Sequence, residues 1–144
     1  MIRRLQKTDI DRIADIWLDA NEKAHHFITP QYWRSNLKLV KEMFSQGEIY
    51  VYEEELSHKI DGFIGMDEDY IAGIFVCYQA QCHGIGKQLL DFVKNIRKQL
   101  TLNVYQKNIR AVRFYQRENF HIQSESIDEN TGEKEYLMIW KACI

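Results

Sequence analysis

Two stretches of the chain carry residue types whose spacing could do chemistry. The first is Gln81-Cys82-His83-Gly84-Ile85-Gly86-Lys87, a glycine-containing turn between an apolar run and an amphipathic segment. Where a helix begins in such a turn, its first N–H groups lack internal partners and its dipole makes that end locally positive. Gly84 and Gly86 have no Cβ, so an anion can come close to those N–H groups, and a phosphate or pyrophosphate site follows. Neither common phosphate motif is complete: a dinucleotide fingerprint needs glycine at position 89, where Leu89 stands, and a P-loop needs Ser or Thr at position 88, where Gln88 stands. Taken alone, the turn serves packing as readily as it serves an anion. The second stretch is Asn108, Ala111 and Tyr115, at i, i+3 and i+7, which puts an amide and a phenol on one helix face two turns long.

The elements that must position these groups read clearly in the pattern. Residues 2–5 form a short first strand. Thr8 is an N-cap candidate, and Ile10, Ile13, Ala14 and Trp17 mark a helix to about residue 21. His25 to Thr29 is a connector, because the residue before Pro30 is pushed out of the α region. Pro30 suits a first helical turn, and Trp33, Leu37, Val40 and Phe44 continue one helix up to Gly47. Residues 48–53 and 59–66 alternate as two strands of a hairpin. Residues 70–76 are a nearly unbroken apolar run, a central strand buried on both faces, with Gly73 marking a bulge or a close backbone approach. A helix follows from Ile85 to about Lys98, then a strand at 100–104, a helix at 108–119 and a final hairpin of 120–128 and 134–140. The order βααβββαβαββ predicts an α/β (α+β) domain, a mixed and mostly antiparallel sheet flanked by helices, with residues 1–144 as a single unit.

Composition narrows the partners. Nineteen Lys and Arg against twenty-one Asp and Glu give a formal charge of −2, with no basic stripe for nucleic acid. No run approaches the roughly 18 apolar residues of a membrane span. An odd set of three cysteines, Cys77, Cys82 and Cys143, with no CxxC pair, reads as free thiols in a reducing compartment, so a cytoplasmic location is expected. Cys77, Cys82 and His83 lack metal-site spacing, and no metal is expected. Disorder, collagen, coiled-coil and disulfide-scaffold classes are excluded by the same composition.

In combination the two stretches say more. Gln81-x-x-Gly84-x-Gly86 after an apolar strand, Leu102-Asn103-Val104 in another, Asn108-x-x-Ala111-x-x-Phe114-Tyr115 on a helix and Phe120 after a turn residue resemble, in this order, the GNAT family of acetyl-CoA-dependent N-acetyltransferases. The likeness spans nearly the whole chain. His26-Phe27-Ile28, Tyr32-Trp33-Arg34 and Val104 to Asn108 are most similar to small bacterial members.

The resemblance implies that acetyl-CoA is the co-substrate and a primary amine the acceptor, on a protein, a peptide or a small molecule. It implies that the strands at 70–76 and 100–104 splay and admit the pantetheine arm beside Ile74, Phe75 and Val76. The pyrophosphate would sit on the turn formed by Gln81, Cys82, His83, Gly84, Ile85, Gly86 and Lys87, and Asn108 would bond the cofactor arm. Tyr115 would give its proton to the departing thiolate as general acid.

On the acceptor side, His25, His26, Phe27, Trp33 and Tyr105 are the candidate lining residues, and the paired histidines could relay a proton; a helix-end cap and ordinary packing are the competing reading. Tyr50 and Tyr52 are further aromatic candidates with the same alternative. Three positions depart from the family pattern: Asn103 stands where Glu often serves as base, Tyr78 where proline is usual, and Asn119 where glycine is usual. Asn103 cannot take a proton, which leaves open an acyl-CoA-binding domain without turnover. The final hairpin offers an edge for a second copy, so a homodimer also stays open.

Overall fold

The computed structural model describes residues 1–143. Strand β1 (Ile2–Arg4) leads through a 3-10 turn (Lys7–Asp9) into helices α1 (Ile10–Ala24), α2 (Pro30–Ser35) and α3 (Leu37–Gln46). Strands β2 (Glu48–Glu53), β3 (Ile60–Asp67) and β4 (Tyr70–Val76) follow, and a 3-10 turn (Tyr78–Ala80) precedes α4 (Ile85–Lys94). The chain ends with β5 (Gln99–Tyr105), α5 (Ile109–Arg117), β6 (His121–Ile127) and β7 (Lys134–Lys141). One sheet takes all of these strands in the order β1-β2-β3-β4-β5-β7-β6. Among the described residues only the β4–β5 junction is parallel. This is the mixed, mostly antiparallel architecture expected from the sequence.

Four local expectations are corrected. Thr8 does not cap α1: the chain enters through the 3-10 turn, where the Asp9 carboxylate accepts from the Gln6 N–H at 2.8 Å and from Arg3 Nη1 at 2.8 Å. Burial works to raise the Asp9 pKa, yet the bonds from Arg3 and Gln6 outweigh it and hold the carboxyl below its ordinary range. Helix α1 also runs past residue 21 to Ala24, because Asn21 turns its Nδ2 back onto the Trp17 carbonyl at 2.9 Å. The single helix expected from Pro30 to Gly47 is two. Asn36, at φ −95° and ψ −3°, separates α2 from α3, and its Nδ2 donates to the Tyr32 carbonyl at 2.7 Å, the competition typical of asparagine inside a helix. Finally, α4 stops at Lys94 rather than near residue 98, and the Lys94 ammonium reaches the Glu118 carbonyl at 2.6 Å.

Alternation along the strands divides the interior in two. Tyr50, Ile64, Met66, Ile71, Leu100, Leu102 and Met138 face α4 and α5 with Leu89, Leu90 and Val93. Ile49, Val51 and Phe63 face α1 and α2, where Ile13, Ile16, Trp17 and Trp33 meet them. Each fully buried aliphatic side chain contributes roughly 1.5–3 kcal/mol. Strands β5 and β7 carry helices on one face only. On the other, Asn103 is exposed and Thr101, Glu135, Leu137 and Ile139 are half-buried, an open floor beside the connector between α1 and α2. Tyr50 belongs to the first core and Tyr52 packs at its margin, so neither lines that floor. No helix is long and apolar enough to cross a membrane among the described residues.

Candidate active site

The site is built where β4 leaves β5. The two strands pair at Tyr70–Thr101 and Ile71–Leu102 and then part. At that point the β3–β4 register slips: Gly65 faces Gly73 while Met66 faces Ile71, so Ala72 is the extra residue of a β-bulge. A bulge bends and twists its strand, which turns the rest of β4 away from β5. Gly73 is required for a second reason. A Cβ there would lie 2.4 Å from Phe75 Cε2, because the Phe75 ring folds over Gly73 and packs on Phe63 with centroids 5.1 Å apart.

The peptide groups lining the gap follow from the ladder. The Cys77 N–H donates to the Asp61 carbonyl at 2.7 Å, so by antiparallel alternation Phe75 turns its peptide groups to β3 while Ile74 and Val76 turn theirs toward the gap. Ile74 and Val76 therefore present backbone N–H donors there. Phe75 does not: its amide is spent on β3 and its ring on the core under α1.

Gln81 closes the far end of β4, its Nε2 donating to the Val76 carbonyl at 3.2 Å. The turn that follows holds two left-handed residues, Cys82 at φ 67° and Gly84 at φ 80°. Gly84 is the N-cap of α4, and the first intrahelical bond runs from the Gln88 N–H to the Gly84 carbonyl at 3.0 Å. The N–H groups of Ile85, Gly86 and Lys87 precede it and face out of the helix end. A Cβ at Gly84 would meet nothing within 4 Å, and one at Gly86 would make only ordinary contacts with Phe114 and Val76. Cys82 and His83 are exposed on this turn. The Lys87 side chain points elsewhere, to Asp91 at 3.2 Å and Glu118 at 3.0 Å. The cation beside the turn is Arg110 of α5, with Nη1 3.3 Å from Gln81 Oε1 and Nη2 3.0 Å from Cys82 Sγ.

Asn108 caps α5, its Oδ1 accepting from the Ala111 N–H at 3.3 Å. Tyr115, one face along, is 9% exposed between Phe114 and Phe120. Burial, with the Tyr70 hydroxyl nearby, pushes its phenol well above the ordinary tyrosine range, so it stays protonated. The helix ends with Asn119 at φ 71° and the Phe120 N–H on the Tyr115 carbonyl at 2.9 Å, the left-handed stop expected where asparagine replaces glycine. Asn103 on the open floor donates to the Tyr70 hydroxyl at 2.9 Å.

On the acceptor side, His25, Phe27, Trp33 and Tyr105 form one aromatic cluster: the His25 ring lies 5.6, 5.5 and 5.0 Å from the other three. His26 stays apart and exposed, edge-on to Phe27 at 6.0 Å. Among the described residues the buried Trp33 indole N–H has no acceptor. Tyr105 donates its hydroxyl to Asp128 Oδ2 at 2.6 Å, and burial plus that carboxylate push its pKa up. Glu135 faces the same floor one strand over, opposite Tyr105 in register, and burial together with Asp128 raises its pKa.

Arg110, Asn21, Asp128 and Glu135 were missed from sequence. Asn21 had a signal, its i, i+4 spacing to His25 at a helix end. Asp128 and Glu135 had none, since only the β5–β7–β6 register brings them to Tyr105. Among the described residues, no group of three or more His, Cys, Asp or Glu side chains is placed to hold a metal ion.

A bulged strand diverging from its parallel neighbour toward a glycine-led helix start, with an Asn-capped helix alongside, defines the class: the chain belongs to the GNAT family of acetyltransferases. Residues 45–122 match the family described as the acetyltransferase (GNAT) domain. Within it, the chain is 34% identical to the peptidyl-lysine N-acetyltransferase YiaC of Escherichia coli K12, over 97% of its own length and 96% of the relative's. It is 24% identical to the peptidyl-lysine N-acetyltransferase YjaB of Salmonella typhimurium LT2, over 91% and 90%. The fold matches the solution structure of apo YjaB from Escherichia coli with a TM-score of 0.87 at 21% identity, covering 96% and 95% of the two chains. It matches the crystal structure of PaiA N-acetyltransferase from Thermoplasma acidophilum in complex with coenzyme A with a TM-score of 0.81 at 16% identity, covering 99% and 98%. The resemblance read from the motifs, to small bacterial GNAT members, therefore holds, and the chain is an acyltransferase.

Proposed function

We propose that the chain acts as one acetyltransferase domain that moves the acetyl group of acetyl-CoA onto a lysine side chain of a protein or peptide, in a ternary complex in the cytoplasm. The observation that carries this is the opening between β4 and β5, lined by the peptide groups of Ile74 and Val76 and leading to the bare N–H groups of Ile85, Gly86 and Lys87. In this reading those two strand residues bond the pantetheine arm. The pyrophosphate rests on the helix start with Arg110 beside it, and Asn108 bonds the arm from the other side. The names of the relatives and the carboxylates Asp128 and Glu135 behind the aromatic cluster both favour a cationic acceptor.

The neutral amine attacks the thioester carbonyl, and a gap-facing N–H of β4 stabilises the oxyanion. The carbon–nitrogen bond forms, the carbon–sulfur bond breaks, the thiolate takes the proton of Tyr115, and the proton that the nitrogen sheds on becoming an amide restores the tyrosine. The amine must first lose a proton, and Asn103 cannot accept it. Glu135, a carboxylate with a raised pKa on the same floor, receives that proton in this reading. A second reading, an acyl-CoA-binding domain without turnover, is favoured by one observation, the engagement of Asn103 with Tyr70 where a base is frequent.

Calorimetric titration of the purified chain with acetyl-CoA, against adenosine diphosphate and propionyl- and succinyl-CoA, tests the cofactor half. Saturable one-to-one binding preferring acetyl-CoA supports it, and no binding to the folded chain sinks it. Tight binding with no thiol release toward any amine would favour the second reading.

A further inference from the structure

Among the described residues, the aromatics aside, two polar side chains are buried, Asp9 and Asn21. Asp9 is answered by Arg3. Asn21, 4% exposed, belongs to a chain of bonds that ends at Asn108, 83 residues from His25 in sequence. Its Nδ2 donates to the Trp17 carbonyl at 2.9 Å, which leaves Oδ1 to face His25 Nδ1 at 3.1 Å. An acceptor there requires that Nδ1 carry the hydrogen. At the other end, Asn108 Oδ1 takes the Ala111 N–H, so its Nδ2 is the atom facing His25 Nε2 at 3.1 Å. A donor there requires that Nε2 carry none. The two ends specify the same neutral tautomer independently.

We propose that His25 is a positioning residue, locked as the neutral Nδ1–H tautomer, whose Nε2 holds the Asn108 amide in place for acetyl-CoA and ties that amide to the acceptor-side connector. The cofactor part rests on the reading of Asn108 given above. A proton on Nε2 would set two donors against each other, so His25 neither relays a proton nor serves as the base. Its surroundings agree. The ring is walled by Phe27, Trp33 and Tyr105. The titratable group on it, Tyr105, is engaged with Asp128, and Lys107 sits over the Phe27 ring, its ammonium 5.4 Å from the centroid. Burial alone holds the imidazole at about 4, below its ordinary value. One Nδ2 hydrogen of Asn108 is spent on His25, and the other remains for a ligand.

Nitrogen-15 imidazole NMR on the native chain tests the tautomer without ligand. A single Nδ1–H form, unchanged from pH 8 to about pH 5.5, is expected. An Nε2–H form, or a midpoint near 6.5, overturns the proposal. The positioning is read by two isosteres. The Gln oxygen in His25→Gln stands near Nε2 and can accept from Asn108, whereas His25→Leu can accept from nothing. The Leu variant should raise the acetyl-CoA KM about tenfold, the scale of one lost hydrogen bond, with kcat less affected. The Gln variant should stay within about threefold of native. Equal losses in both variants reduce His25 to packing and overturn the proposal. A native chain with the expected tautomer that does not bind acetyl-CoA overturns the cofactor reading instead, which separates the two failures; the NMR result decides the tautomer even where a variant does not fold.

Discussion

At the scale of single residues, groups that lie close together have separate duties, and each has its own signature. Tyr115 has a hydroxyl with no side-chain partner among the described residues, so Tyr115→Phe should leave thermal stability nearly unchanged. It should lower kcat by roughly 10²-fold or more while acetyl-CoA binding persists. Steady-state kinetics beside a melting curve checks this, and a full kcat in the Phe variant removes the tyrosine from the chemistry. Glu135→Gln should cut kcat/KM for a lysine peptide by roughly 10²-fold and leave the calorimetric affinity for acetyl-CoA as it was. An unaffected kcat/KM would hand the amine's proton to solvent. Cys82 is exposed on the turn where the pyrophosphate is placed, with Arg110 at 3.0 Å, so its alkylation should slow when acetyl-CoA is added. Equal rates with and without the cofactor would count against that placement.

At the scale of elements, β4 decides the shape of the site. Gly73→Ala would drive a methyl group into the Phe75 ring, which must then swing off the Phe63 contact. The expected cost is about 1–3 kcal/mol in a denaturant melt, and Phe75→Leu in the same chain should recover part of it. Additive losses would mean that the bulge, not the ring, is disturbed. Gly84→Ala meets open space but a φ of 80°, so about 1–2 kcal/mol is expected from backbone strain alone. Much of this scale was legible in the sequence. Strands β2 and β4 fall where alternation and the apolar run put them, but β4 is not the strand buried on both faces that its apolar run suggests: only Ile71 is buried and Ala72 is exposed, because the strand leaves β5 and borders the gap. The breaks were less legible. Asn36 interrupts a continuous apolar stripe by a side-chain bond to Tyr32, a choice that hydrophobic spacing does not register. The same is true of the site. Gly84, Asn108 and Tyr115 stood out by local spacing, while Arg110 and Glu135 reach it through tertiary packing and strand register.

At the scale of the whole molecule, two cores on opposite faces of one sheet share the tie that joins α1 to α5, and pH reports on it. Because burial holds His25 at about 4, the unfolded chain binds a proton between that value and 6.5 that the native chain does not. The native state is then fully favoured above pH 6.5 and loses up to about 1.4 kcal/mol per pH unit as pH falls toward 4. Asp9 acts in a lower window: its depressed pKa stabilises the fold above the ordinary carboxylate range, and that stabilisation is lost as pH falls below it. Urea melts at pH 7 and 5 should therefore differ less in His25→Gln than in the native chain, by roughly 1–2 kcal/mol. An identical pH dependence would mean that His25 titrates freely in the fold. The central claim is transfer to a lysine amine, and mass spectrometry tests it most directly. The chain, acetyl-CoA and a lysine-containing peptide are incubated beside the same peptide with its lysine blocked, both with capped N-termini. The account predicts one acetyl group on the lysine peptide with matching thiol release, and none on the blocked peptide. Acetylation of neither peptide, by a chain that binds acetyl-CoA, would contradict it.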